Sequence, residues 1–247
     1  MKRKLLASLI LCPIMFQSAY AAIALDRTRI IYDGGQKSVS MNISNENKRL
    51  PYLAQGWIED EKGNKITSPL IVLPPVQRVE AGARSQVKIQ SAGAEKALPQ
   101  DRESVFYFNL REIPPRSDKP NTLQIALQTR IKLFYRPDAL FWDSSTTPWQ
   151  EKITLTREGD SYKVNNPTPY YVTLIDASNA AGKKGTTAPG FKAVMIEPKG
   201  QAALSVSASA LGSNPVLTYI NDYGGRPQLQ FTCAGNTCQG KPVSQNR

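Results

Sequence analysis

The sequence contains no histidine. Ser-His-Asp and Cys-His catalysis, His-ligated zinc and haem held by an imidazole are therefore excluded. Cysteine is scarce, three in 247 residues. No G-x-x-x-x-G-K-[ST] loop is present to cradle nucleotide phosphates, and no G-x-S-x-G or S-x-x-K motif stands with the partners that nucleophilic catalysis requires. Acidic residues are in deficit, 20 Asp+Glu against 31 Lys+Arg, for a net charge of +11. Beyond residue 21 no apolar run approaches the ~20 residues that a membrane span needs. What the chain does have is 40% hydrophobic residues, 18 prolines and 16 glycines. That composition builds a buried core and favours strands and turns over helices.

The first 21 residues read as an export signal. Lys2, Arg3 and Lys4 form a positive start, Leu5 to Phe16 an apolar stretch, and Ala19-Tyr20-Ala21 a small-x-small cleavage pattern. A membrane anchor would need a longer apolar run, and a lipid-modified Cys12 would need a smaller neighbour than Leu11. Cleavage after Ala21 starts the mature chain at Ala22. It removes three basic residues and lowers the net charge from +11 to +8. The mature protein is expected outside the cytoplasm.

The cysteines agree with export. Cys12 leaves with the signal, and Cys233 and Cys238 remain around Ala234-Gly235-Asn236-Thr237, a hairpin turn by composition. In an oxidising compartment they are expected to form a disulfide that ties the two strands together. A redox or metal pair is the weaker reading, because the spacing is not C-x-x-C and no further Cys or His completes a zinc site. The basic residues are scattered, with no arm or motif of a nucleic-acid-binding fold. A solvated basic surface or an acidic protein partner accounts for them, and no nucleic acid is expected.

Alternation of polar and apolar residues recurs along the chain. Val39, Met41 and Ile43 share one face of a strand, Gln86 to Gln90 repeats the pattern, and Tyr52 to Ile58 forms another strand with Trp57 as a core anchor. Turns fall at Asp33-Gly34-Gly35 and Lys62-Gly63-Asn64. A linker-like segment, Asp143 to Pro148, separates this series from a second one: Ile153 to Thr156, Tyr162 to Val164, Tyr170 to Ile175, Lys192 to Ile196, Leu217 to Ile220 and Gln228 to Cys233. Short strands at this spacing predict sandwiches. Ala177 to Gly190 is small and polar, and reads as a mobile loop with no assigned role. The most regular strand is Asn121 to Phe134, in which Leu123, Ile125, Leu127 and Thr129 share a face. Pattern alone leaves it either a half-buried core strand or a docking strand, since an exposed apolar strand of this length needs a partner to cover it.

Several segments, in order, carry a family resemblance. Leu98 to Pro115 (LPQDRESVFYFNLREIPP) is joined by Leu25-Asp26-Arg27-Thr28-Arg29, Pro74-Pro75-Val76-Gln77-Arg78, Ile131 to Pro137, Asn166 to Tyr171 and Tyr219 to Gly225. Together they resemble the periplasmic pilus chaperones of the chaperone–usher pathway, the PapD-like proteins, over the whole mature chain. The resemblance implies an all-β protein of two immunoglobulin-like β-sandwich domains, 22–140 and 141–247, in a boomerang arrangement with an interdomain cleft. It also implies donor-strand complementation, in which an edge strand is lent to an incomplete pilin subunit. Leu123, Ile125 and Leu127 are then the residues that enter the subunit groove. Arg29 and Lys132 match the two cleft bases that hold the subunit's C-terminal carboxylate. Glu103, Arg136 and Asp222 match charged positions that set the interdomain orientation. The short segment from Pro114 to Pro120 before the donor strand resembles the subclass that assembles rod-like pili.

The implied function is that of a periplasmic chaperone, with pilin subunits and an outer-membrane usher as partners. No enzymatic activity, cofactor or metal is expected, and no insertion into a membrane. Self-association of the free protein, covering the donor strand, is left open by the sequence, as are the pilus system served and the usher-binding surface. The alternatives are a structural pilus subunit or adhesin, and a secreted enzyme. A subunit should show one incomplete domain and an N-terminal alternating extension, whereas this chain has two strand series and its best alternating strand is internal.

Overall fold

The computed structural model describes residues 22–141, 147–182 and 186–243. The leader at 1–21, most of the Asp143–Pro148 linker and the middle of the 177–190 segment lie outside the described residues.

The first domain comprises β1 (Ile23–Leu25), β2 (Arg29–Asp33), β3 (Ser38–Asn45), β4 (Tyr52–Glu59), β5 (Lys65–Ile66), β6 (Leu70–Leu73), β7 (Val76–Val79), β8 (Arg84–Ser91), β9 (Ser104–Ile113) and β10 (Gln128–Arg136). They form a four-stranded sheet in the order β1-β3-β8-β6 and a facing sheet in the order β2-β10-β9-β4-β5, with β7 paired to β4. Alternation explains the layering. Met41, Ile43, Val87 and Ile89 point inward from one sheet, and Ala54, Ile58, Phe106, Phe108, Leu110 and Leu133 from the other, closing one apolar core.

The second domain comprises β11 (Thr154–Glu158), β12 (Ser161–Asn165), β13 (Val172–Ser178), β14 (Val194–Ile196), β15 (Gln201–Ser207), β16 (Val216–Tyr219), β17 (Gln228–Ala234) and β18 (Thr237–Pro242). Its ladder runs β14-β13-β16-β17-β18-β11-β12-β15. The end strands β14 and β15 are consecutive in the chain and adjacent in space, so the ladder folds over one core that includes Leu155, Val164, Leu174, Leu217 and Phe231. The two cores share no residue. The chain is therefore nearly all-β, with two immunoglobulin-like sandwiches, as expected.

Cys233 and Cys238 stand opposite each other in the β17–β18 hairpin and are joined by a disulfide. The closed loop is short, with a sequence separation of 5. Replacing both residues by Ala is expected to lower the unfolding free energy by about 2 kcal/mol on chain-entropy grounds. Urea titration of the double variant checks this, and an unchanged midpoint would refute it.

Three expectations need correction. Trp57 is not a core anchor. Ala54, Gly56 and Ile58 take the inward positions of β4, so Trp57 points to the opposite, half-solvated face. There it lies beneath Lys65 and Arg111 and donates to Glu59 at 2.8 Å. The 177–190 segment is not free at its ends. Ala177 and Ser178 belong to β13, Ala188 N donates to Ala177 O at 2.8 Å, and Ser178 bridges Thr187. The long alternating strand does not run from Asn121 to Phe134. Pairing begins at Gln128, because β9 ends at Ile113 and is followed by Pro114-Pro115, which have no N–H to extend a ladder.

Candidate functional site

The β10 strand organises the site. Its inward residues Leu133 and Tyr135 fix its outward parity, so Lys132, Phe134 and Arg136 share the other face. The parallel neighbour β2 sets Arg29 opposite Lys132 in register. Two cations thus lie side by side where the domains meet. Arg29 is 9% exposed, its Nη1 donates to Ile220 O of the second domain at 3.2 Å, and its Nε is buried without a hydrogen-bond partner. Lys132 is half-buried. Among the described residues neither forms an ion pair with a carboxylate. Burial holds the Lys132 ammonium below the usual lysine range, and the Arg29 charge pushes it lower still. Burial also lowers Arg29, against the pull of Asp222 and Glu103. Two like charges, partly stripped of water and with no ion pair among the described residues, favour an incoming anion.

Arg136, two steps of the same outward alternation beyond Lys132, has its counter-ions. Its Nε donates to Glu103 Oε1 at 2.8 Å, with Nη2 2.7 Å from the same oxygen. Its Nη1 donates to Asp222 Oδ2 of the second domain at 3.0 Å. The rings of Trp149 and Tyr170 lie 4.8 and 5.1 Å from the guanidinium carbon. Glu103 reaches across as well: its Oε2 accepts from Tyr171 N at 2.8 Å, and its own N–H donates to Pro169 O at 2.9 Å. Burial raises the Glu103 carboxyl to about 7, against the pull of Arg136.

Local turns aim these groups. In Asn166-Pro167-Thr168-Pro169-Tyr170-Tyr171 the buried Asn166 amide binds Tyr170 O and Glu197 O, and its oxygen accepts from Thr168, which presents Pro169 O and Tyr171 N to Glu103. In Asn221-Asp222-Tyr223-Gly224-Gly225 the Asn221 oxygen accepts from Tyr223 N and Gly225 N. Gly224 has φ +80°, and a Cβ there would lie 2.9 Å from Thr28 Oγ1. Only glycine lets this turn approach the first domain and bring Asp222 to Arg136.

Leu123, Ile125 and Leu127 precede β10 and are 84%, 63% and 42% exposed. They share the parity of Leu133 and Tyr135 but lie outside every strand of the described residues. The segment is held at its base by Glu112 N, which donates to Leu127 O at 3.0 Å, and by the Gln124 amide, which donates to Pro115 O. The structure thus brings Arg29 beside Lys132 and assembles Glu103, Arg136 and Asp222 into one cluster. It leaves Leu123, Ile125 and Leu127 outside both cores.

Sequence reasoning missed further contacts between the domains. Trp149 and Tyr170 flank Arg136, Phe134 packs on Tyr171 at 5.6 Å, Tyr171 Oη donates to Glu61 at 3.2 Å, and Lys199 Nζ lies 2.7 Å from Asp101. Trp149, placed directly after the linker, was the one with a visible signal, since a large aromatic at a domain start has to be covered. Among the described residues no His/Cys/Asp/Glu group could hold a metal ion, and no helix is long and apolar enough to cross a membrane.

The fold and this geometry define a class: a two-domain immunoglobulin-like protein whose joint carries two cations with no ion pair among the described residues, beside an exposed apolar segment. The family model described as the pili and flagellar-assembly chaperone PapD N-terminal domain matches residues 22–141, and that of the pili assembly chaperone PapD C-terminal domain matches 148–231. The chain is 58% identical over 222 residues to the probable fimbrial chaperone YfcS of Escherichia coli K12, covering 90% of this chain and 87% of that one. It is 51% identical over 231 residues to the chaperone protein PapD of Escherichia coli, covering 92% and 93%. The crystal structure of the periplasmic chaperone SfaE superposes with a TM-score of 0.67 at 31% identity, covering 85% of this chain and all of that one. A chain from the complex of Salmonella enterica SafA pilin with the SafB chaperone gives 0.70 at 25% identity, covering 88% and 99%. This chain belongs to the PapD-like family of pilus-assembly chaperones. Its role is that of a chaperone in pilus assembly rather than a structural subunit or adhesin of the pilus.

Proposed function

We propose that this protein, exported to the periplasm, binds pilin subunits by strand addition through residues 123–127, holds the subunit's C-terminal carboxylate with Arg29 and Lys132, and hands the subunit to an outer-membrane usher. The observation that carries this reading is the continuity of one strand: an exposed alternating apolar segment leads within five residues to a lysine that lies beside a buried arginine with no ion pair among the described residues. Backbone pairing extends the sheet, Leu123, Ile125 and Leu127 fill the partner's open core, and the carboxylate fixes the register. Glu103, Arg136 and Asp222 hold domains 22–140 and 141–247 at the angle that keeps Arg29 under Ile220. The protein works by binding alone, without catalysis, cofactor or nucleotide. The relative observed with its pilin, SafB with SafA, supports a pilin as the partner.

The test is calorimetric titration of the processed protein with a pilin C-terminal peptide, as free acid and as amide. The free acid is expected to bind, and amidation or Lys132→Ala to weaken it by about 10–100-fold, the worth of one charge-assisted hydrogen bond of about 1.5–3 kcal/mol. Equal binding of acid and amide would refute the Arg29/Lys132 anchor while leaving strand addition standing.

A further inference from the structure

Among the described residues two acidic residues are buried, Glu103 and Glu112. Glu103 has Arg136. Glu112 has no ion pair with any lysine or arginine of the described residues. It follows Phe106, Phe108 and Leu110 on the inward face of β9, at the end where the ladder runs out, and is 6% exposed. Its Oε2 accepts from Ile23 N at 2.8 Å, in β1 of the facing sheet. One neutral N–H does not offset the desolvation of a carboxylate.

The missing cation has a source in the chain itself. Ala22 is 8% exposed, its carbonyl accepts from Glu46 N at 2.7 Å, and Ile23 beside it is paired with Asn45. Its backbone is therefore fixed. Its nitrogen is one backbone step, roughly 3–3.6 Å, from the Ile23 nitrogen that Glu112 already holds. In the uncleaved chain the Ala22 nitrogen is a neutral amide. Hydrolysis of the Ala21–Ala22 peptide bond converts it to a primary ammonium, with the other product leaving as the Ala21 carboxylate.

We infer that Glu112 is the binding site for the α-ammonium that leader removal creates at Ala22. The inference rests on cleavage after Ala21. The processed chain gains a buried ion pair that ties β1 to β9, which the amide nitrogen of the uncleaved chain does not supply. The fold is thus favoured after the leader has gone. Because Glu112 N also donates to Leu127 O, the same residue connects the new terminus to the base of the exposed apolar segment.

N-terminal sequencing of the exported protein must return Ala22 first, and any other start overturns the inference. Urea unfolding is then compared between this chain and one with Gly-Ser ahead of Ala22, each with Glu112 and with Glu112→Gln. The extension is expected to raise the unfolding equilibrium constant about tenfold or more with Glu112 and less than twofold with Gln. An equal effect in both, or none in either, overturns the inference. If the Gln variant does not fold, acetylation of the α-amine in the parent decides the matter. It should be at least about tenfold slower than in a peptide of residues 22–27, and an equal rate overturns the assignment. Loss of peptide binding by the carboxylate-anchor variants bears on the proposed function and leaves this comparison untouched.

Discussion

Replacing Leu123, Ile125 and Leu127 together by Ser is expected to leave the fold intact and to weaken capture of a pilin C-terminal peptide by at least about 10³-fold. The asymmetry follows from exposure. Ile125 and Leu123 belong to neither core, so their loss removes no packing from the free protein, and its urea midpoint should move by no more than a surface substitution allows, about 0.5 kcal/mol. In the proposed complex each side chain is transferred from water into a subunit groove, worth about 1.5–3 kcal/mol apiece. Ordering the segment offsets part of that gain, and a three-decade loss corresponds to roughly half of the gross sum. Calorimetry against the same peptide supplies the number. Undiminished binding by the triple variant would refute the assignment of this segment, whatever the carboxylate anchor does.

The second large effect is expected at Arg136. Arg136→Ala removes the cation that forms ion pairs with both Glu103 and Asp222, and should lower the unfolding free energy by about 3–5 kcal/mol at neutral pH. The penalty is the isolation of the partners rather than the net worth of the pair, so substituting Glu103 by Gln in the same chain should recover part of it. The network also has a pH signature. The Glu103 carboxyl has its folded value raised by burial to about 7 from an ordinary 4.5. A raised carboxyl binds its proton more tightly in the folded than in the unfolded chain, so its contribution is complete below about 4.5 and is lost as pH rises through about 7. Stability measured across that window should fall with pH in the parent and flatten in Glu103→Gln. A parent whose stability rises steadily through the window, with no difference from the Gln variant, would contradict this account.

Much of the fold was legible because strand periodicity is local. Val39, Met41 and Ile43, or Val87 and Ile89, need only a period of two to announce an inward face, and they took it. The same rule, and not the size of the side chain, decides Trp57. Ala54 and Ile58 had already claimed the core side, and a tryptophan between them had to lie outside, under Lys65 and Arg111. The rule also overran at Asn121–Gln128. Alternation records which face a residue would present in a strand, and cannot show whether a neighbour exists to pair with it. The Pro114-Pro115 pair opposite was the available warning.

The sequence by itself determined the two strand series, the disulfide pairing and, through long ordered motifs, the family. These are properties of neighbouring residues or of runs of them, and they survive without knowledge of the third dimension. Only the tertiary structure decided which charges are balanced. Arg29, Lys132 and Arg136 are equally cationic in the sequence, yet Glu103 and Asp222, far away in the chain, pair with Arg136, and among the described residues the other two have no ion pair. It also showed that Leu123, Ile125 and Leu127 stay in water while Leu133 and Tyr135, further along the same alternation, are buried. The reason is physical. Burial and Coulomb energy depend on distance through space, and in a fold of non-local strand pairs that distance bears little relation to separation along the chain.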